Sequence, residues 1–236
     1  MKKKLILGTF FFLFIGNYLY AQRDRIINLP NEDKKDWNFG YYLGINKYSF
    51  VVDYKTSLYP ESQVVIDAGY GFNLGVMVER NLHKNLSIRF EPGISNNVKQ
   101  LYFNNKGLLT ENDSLRKVSS TYLHLPLLMK FSTDRMDNIR PYILGGFSYD
   151  YNFSSNEKNP DDNTSGEFRM KANNFMYEVG IGVDFYLSYF KFSPSIRGVF
   201  AINNELVPDN VDSTSPYTGP IDTFATRGFF VKFTFE

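Results

Sequence analysis

The chain offers few residues from which catalysis could start. Two histidines and no cysteine occur among its 236 residues. Without thiols there are no disulfides, no Cys-ligated zinc, no thiolate nucleophile and no acylated N-terminal cysteine. His83 falls in a predicted turn. His124 lies in the run Tyr122-Leu-His-Leu-Pro-Leu-Leu-Met-Lys130, where alternation assigns it to the polar face of a strand. A hydrolase would need such a histidine beside Ser or Asp at an accessible rim. The sequence establishes no Ser partner, so a hydrogen-bonded interior histidine is the simpler reading. Acidic residues gather in loops at Asp161, Asp162, Asp209 and Asp212, but without the twelve-residue spacing of a calcium loop. Asn163-Thr164-Ser165 matches an N-glycosylation acceptor as a pattern only. The expectation is a protein that is not an enzyme, with no catalytic, cofactor-binding or metal-ligating residues.

Charge in the interior of the chain is patterned differently. Glu79, Arg89, Glu91, His124, Lys130, Arg140, Glu178, Asp184, Lys191, Arg197 and Lys232 are assigned to the polar face of predicted strands. Lining a narrow lumen, they would neutralise one another as a plug of salt bridges. A proton or ion path is the alternative, disfavoured because an eight-strand interior is only wide enough for side chains to fill it. A second candidate is the loop Asn203-Asn-Glu-Leu-Val-Pro-Asp-Asn210. Asn, Pro and Asp make turns, but a long loop on a rigid scaffold is also where recognition sits. Asn203, Asn204, Glu205, Pro208, Asp209 and Asn210 are therefore the candidate partner-binding residues.

The elements that must hold these residues are strands. Phe occurs 23 times and Tyr 17, against five Ala, which favours sheet over helix. Period-two alternation predicts eight strands. They start near Trp37, Gly69, Asn85, Tyr122, Ile143, Phe175, Phe190 and Phe229. Strand six shows the pattern: Phe175, Tyr177, Val179, Ile181, Val183 and Phe185 alternate with Glu178, Gly180, Gly182 and Asp184. Short turns are predicted near 81–84, 133–139 and 187–188, and long polar loops near 47–68, 104–118, 156–170 and 204–224. Structureless loops of that length argue against a compact soluble domain. Short turns at one end and long loops at the other suit an outer-membrane barrel, with the short turns and both termini periplasmic.

Ahead of the strands, Lys2, Lys3 and Lys4 precede an apolar run from Leu5 to Ile15, and Ala21 follows Tyr20. This is the order of a secretory signal cleaved after Ala21. An uncleaved anchor is the alternative, and the short core of the run favours cleavage. The organisation expected is 1–21 signal peptide, 22–36 polar periplasmic segment and 37–236 barrel. Removing the three lysines leaves 23 basic against 25 acidic residues, which gives no electrostatic case for nucleic acid. Alternation alone does not say which face meets lipid, and a soluble lipocalin-like barrel or a β-sandwich has the same period. Export, aromatic residues near strand ends, glycine on the polar face and an aromatic final strand all favour the membrane. Pro92, Pro126 and Pro194 fall inside predicted strands and should mark bulges or boundaries.

Several segments together resemble a known family. They are Tyr122–Lys130, Arg140-Pro-Tyr-Ile-Leu-Gly-Gly146, the Asn203–Asn210 loop, Ile221-Asp222 and the ending Thr226-Arg-Gly-Phe-Phe-Val-Lys-Phe-Thr-Phe235. They resemble the PorT family, outer-membrane barrels of Bacteroidota associated with the type IX secretion system. The resemblance implies an eight-stranded antiparallel transmembrane β-barrel and a non-enzymatic role in protein export, with surface motility in gliding members. It implies lipid and other secretion-apparatus proteins as partners, no small-molecule substrate, and no catalytic residues or cofactors. A structural or adhesin-like barrel, or a lipid-modifying outer-membrane enzyme, is the alternative.

Overall fold

A computed structural model describes residues 26–55, 63–104, 114–158, 168–209 and 217–236. The expected signal peptide, Asp161, Asp162, Asn163–Ser165, Asn210 and Asp212 lie outside the described residues. Ten strand segments are present: β1 (Trp37–Tyr54), β2 (Gln63–Ala68), β3 (Tyr70–His83), β4 (Leu86–Phe90), β5 (Gly93–Asn104), β6 (Leu115–Ser132), β7 (Ile139–Asn152), β8 (Asn173–Tyr186), β9 (Lys191–Ala201) and β10 (Ile221–Phe235). All pairings between them are antiparallel. Neighbours in the wall follow the chain, and β1 closes it by pairing with both β10 and β3.

The ten segments make eight wall strands. β2 and β3 are one strand bent at Gly69. β4 and β5 are one strand across Glu91-Pro92, because the register to β3 is the same on both sides, Val78↔Phe90 and Gly75↔Gly93. The ring of eight is the architecture expected from the alternation.

Which face meets which solvent is settled by exposure. On β1, Phe39 (66% exposed), Tyr41, Leu43 and Ile45 point outward, while Asn38, Tyr42 and Asn46 are buried inside. On β8, Phe175, Tyr177, Val179 and Ile181 (63% exposed) point out, while Glu178 and Asp184 are buried. A belt of exposed Ile, Leu, Val and Phe around a charged interior is the inverse of a soluble barrel and suits lipid. Stacked rings, Tyr41–Phe235, Phe185–Phe192 and Phe192–Phe233, rim the belt at the end that carries the termini.

The prolines divide: Pro92 stands in the break between β4 and β5, the boundary expected of it, whereas Pro126 and Pro194 lie inside β6 and β9. Pro126 pairs with Ser148 and Pro194 with Phe233, each in an unshifted ladder. The register also runs unshifted past Pro92. At Pro126 the missing donor has a substitute. The Pro126 carbonyl accepts the Glu91 N–H, and the Glu91 carbonyl accepts the Tyr42 hydroxyl at 3.1 Å instead of a Pro126 N–H. Tyr42 reaches it because Gly75 and Gly93 leave room: a Cβ on either would lie within 2.6 Å of the Tyr42 oxygen. Pro194 falls where the β8–β9 ladder lapses, between Gly182↔Ser195 and Phe185↔Phe192.

Strands at the long-loop end run further than the sequence reading allowed. β1 and β6 each hold 18 residues, well beyond the ~9–11 that cross a bilayer. In these extensions the apolar parity reverses. Phe50, Leu101, Phe103, Val118 and Phe224 point inward and are buried. Phe168, Met170, Leu206 and Tyr217 join them in one apolar cluster that stops the mouth.

Candidate functional site

The lumen is filled by a continuous ion-pair network. Glycines on the inner face of the wall, such as Gly44, Gly146 and Gly180, give the long side chains space. At the centre, Glu91 takes two bonds from Arg197 (2.6 and 2.8 Å) and one from Lys232 (3.1 Å). Arg89 lies 3.5 Å from Glu91, bonds Glu79 at 2.5 Å and reaches Glu236 at 3.1 Å. Lys130 joins Asp184 at 2.7 Å and approaches Glu79 at 3.6 Å. Ser193 donates to Asp184, and Lys191 pairs with Glu236. His124 is held between Asp150 (Nδ1, 2.8 Å) and Glu178 (Nε2, 3.1 Å). The Nε2 contact is an ion pair rather than an aligned hydrogen bond. All of these side chains are at most 4% exposed.

The network balances in charge. Arg89, Lys130, Lys191, Arg197 and Lys232 give five cations, and protonated His124 makes six. Glu79, Glu91, Asp150, Glu178, Asp184 and Glu236 give six anions. Burial of an unpaired charge is costly, so near-complete pairing is what lets so many ions leave water. Ten of the eleven charged residues expected in the lumen join this network. Arg140 does not. It sits at the end bearing the termini, where it bonds Asp33 (3.0 Å) and the Thr133 carbonyl (2.9 Å). Its parity was right, but its place in the final turn of wall directs it to the rim. Asp150 and Glu236 were missed. Asp150 shares the inward parity of Ser148 and Asn152, a signal the sequence did contain, whereas Glu236 gave none.

Both ends of the network are covered. At the terminal end, residues 26–36 fold across the mouth. Asp33 pairs with Arg135 and Arg140 and accepts the Tyr186 hydroxyl. The Arg135 guanidinium stacks 3.7 Å over the Tyr186 ring. Asn28 bonds both Asn138 and the Tyr186 carbonyl. At the other end, Lys99 lies in a cage of Phe50 (4.3 Å), Tyr48 (5.3 Å) and Tyr122 (5.8 Å), beneath the apolar cluster.

Residues 203–209 of the candidate loop belong to this upper stopper. Glu205 is fully buried, and Leu206 is 6% exposed within the apolar cluster. The Glu205 N–H bonds the Phe224 carbonyl, and its carboxylate accepts the Thr226 hydroxyl (2.7 Å) and N–H (3.2 Å). Burial, outweighing those bonds and the attraction of Lys99, pushes the Glu205 carboxyl up to about 7. Asn204 accepts the N–H groups of Leu206 and Phe224 and donates to the Asp222 carbonyl. Asn203 accepts the Phe175 N–H. Asp209 is bonded to Thr218 and lies 3.6 Å from Arg169. The Asn203 and Asn204 side chains thus replace β9 as partners of β8 and β10 above Ala201. Pro208 alone of the described candidates stands exposed. The turn chemistry was legible, but its inward direction was not.

Among the described residues no group of three His, Asp or Glu is arranged to hold a metal ion. His124 is 1% exposed and is held between two carboxylates. His83 lies exposed at the end of β3.

Comparison with known proteins agrees with this architecture. The family model described as outer membrane protein beta-barrel domain matches residues 20–207. Among solved structures, the chain is similar to the outer membrane protein OprG from Pseudomonas aeruginosa at 13% identity and TM-score 0.49, covering 84% of this chain and 94% of that one. It is also similar to Ail, the attachment invasion locus protein of Yersinia pestis, at 12% identity and TM-score 0.40, covering 85% and 99%. AlkL in lipid bilayers matches at 14% identity and TM-score 0.41, covering 92% and 93%. No curated protein matches the sequence. The chain belongs to the outer membrane protein beta-barrel domain family, and is an integral outer-membrane protein whose apolar wall sits in lipid.

Proposed function

We propose that this barrel is a non-enzymatic component of the type IX protein secretion apparatus, working through contacts with other proteins. The resemblance of the Tyr122–Lys130, Asn203–Asn210 and Thr226–Phe235 segments to the PorT family supports the assignment. The carrying observation in the structure is the sealed lumen. Paired ions fill it, residues 26–36 cover one mouth and an apolar cluster stops the other. A barrel with no open path acts through its rims, its loops and its wall. In this reading the short turns and both termini face the periplasm and the long strands face the exterior, as in other bacterial barrels. No catalytic step is assigned to it.

In-frame deletion tests the proposal. Loss of secreted cargo from the medium, with the outer membrane still impermeable to large antibiotics and restored by the full-length gene, is the expected result. Normal secretion with altered lipid A or altered adhesion would overturn it in favour of an enzyme or an adhesin-like barrel.

A further inference from the structure

The wall is not closed at the long-loop end. β1 pairs with β3 as far as Lys47↔Tyr70. Beyond Gly69 the same wall strand continues as β2, which pairs with β5 and not with β1. β1 itself runs on to Tyr54, with β10 on its other side. Residues 48–54 and 63–68 are therefore two facing edges without a ladder between them. The cause is a one-residue slip: Ala68 pairs with Lys99, but Phe72 pairs with Asn96. Gly69 is the extra residue, and its N–H turns to the Val98 carbonyl. A bulge of this kind bends one strand away from its neighbour.

The direction of each backbone group follows from the ladders, because successive residues of an antiparallel strand face opposite neighbours. Glu236 exchanges both bonds with Lys191 of β9, so Phe235 and alternate residues before it face β1. Their partners, Tyr41 to Val51, face β10. Tyr48, Phe50 and Val52 therefore turn their N–H and C=O groups into the seam. On the opposite edge the Phe103 N–H bonds Ser114, toward β6. Tyr102 then faces Val65, which leaves Val64 and Ile66 facing the seam. Val64 confirms this: its N–H is taken across the seam by the Tyr54 hydroxyl at 2.8 Å. Among the described residues no strand receives the groups of Phe50, Val52 and Ile66.

The geometry points to a strand-addition site for an extended segment of a partner protein. This rests on the reading that the barrel acts through partners. Each edge presents a row of β-oriented donors and acceptors, and such a row selects an extended chain. The inner flank selects apolar side chains, because Phe50, Val52, Val64 and Ile66 pack on the apolar cluster. The outer flank carries Asp53 and Asp67 beside Val51 and Val65, so basic side chains suit the outward positions. The segment is one in which apolar and basic residues alternate.

Two measurements on the full-length protein test this. First, amide exchange is followed in the folded barrel in detergent, with and without an alternating Val/Lys heptapeptide. Phe50, Val52 and Ile66 should exchange fast alone and slow by at least about tenfold with peptide. Protection already equal to that of Leu43 and Ile45 would show a closed seam and overturn the proposal. Second, a photo-crosslinking residue is placed at Val51 or Val65 in native outer membranes, with Val179 on the far wall as control. The expected product is a different protein, joined through a segment of alternating apolar and basic residues. It should be lost in Ile66→Pro, which removes a seam donor and spares the β5 ladder, and in Asp53→Lys/Asp67→Lys should Ile66→Pro fail to fold. A product that is a second copy of this chain, lipid alone, or unchanged in both variants overturns the proposal. Normal secretion in the deletion strain, with the crosslink still formed in the strain that carries the protein, would refute the secretion role and leave the seam standing.

Discussion

Glu91 is the keystone of the lumen, and its neutralisation has a calculable cost. Its carboxylate takes three hydrogen bonds from Arg197 and Lys232 and lies 3.5 Å from Arg89. Glu91→Gln keeps the shape, removes the charge and aims an amide N–H₂ at a guanidinium. Three buried cations then share the remaining acids. Breaking a buried pair from one side costs about 3–5 kcal/mol, or roughly 10²–10³-fold in the folding equilibrium at 1.4 kcal/mol per decade. The assay is urea unfolding in lipid vesicles read by Trp37, the sole tryptophan, which is 48% exposed on the outer face. Pairing the change with Arg197→Met should recover part of the loss, because an absent pair costs less than a broken one. A single variant within about 0.5 kcal/mol of wild type, below the range for ordinary buried changes, would refute the network as a buried, dry plug. Strictly additive single and double variants would refute the coupling.

Other consequences follow from the same structure. Gly93→Ala should destabilise the barrel by about 1–3 kcal/mol through overpacking, since its Cβ would lie 2.1 Å from the Tyr42 hydroxyl that replaces the Pro126 donor; the urea midpoint measures it. The Glu205 carboxyl is raised in the folded protein, so its neutral form is the favoured one. Its stabilisation is complete below the ordinary carboxylate range near 4.5 and is lost as pH rises through about 7. The wild-type midpoint should therefore fall relative to Glu205→Gln between pH 5 and pH 8, and parallel curves would contradict this. Asp33→Asn should free residues 26–36 from Arg135 and Arg140, seen as faster proteolytic trimming of that segment with the barrel core intact.

How much of this was legible in the sequence depended on which solvent each residue meets. Within the belt one parity is apolar and the other polar, so strands such as Phe175–Phe185 were read residue by residue. Above the belt water replaces lipid outside and an apolar stopper replaces the ion pairs inside. The pattern inverts: on β1, Ile45 points out, whereas Phe50 points in. A reader following one phase ends the strand there, which is why 47–54 and 115–118 looked like loop. The ion-pair partners were legible as a set but not as pairs, since Arg89 and Glu236 are joined only through closure of the ring. Glu205 was found for its turn-forming neighbours, while its burial depends on a cluster assembled from four separate wall strands together with Phe168, Met170, Leu206 and Tyr217. Pro126 misled because a side-chain hydroxyl can replace a missing ladder donor, as that of Tyr42 does by reaching over the neighbouring strand to the Glu91 carbonyl.

The central claim is that the barrel is closed to ions and works by contact. Single-channel recording of the full-length protein reconstituted in a planar bilayer tests it directly. The account predicts no stable conductance steps at neutral pH, because paired ions fill the lumen and, among the described residues, both mouths are covered. Reproducible ion-selective openings of the wild-type protein would contradict it.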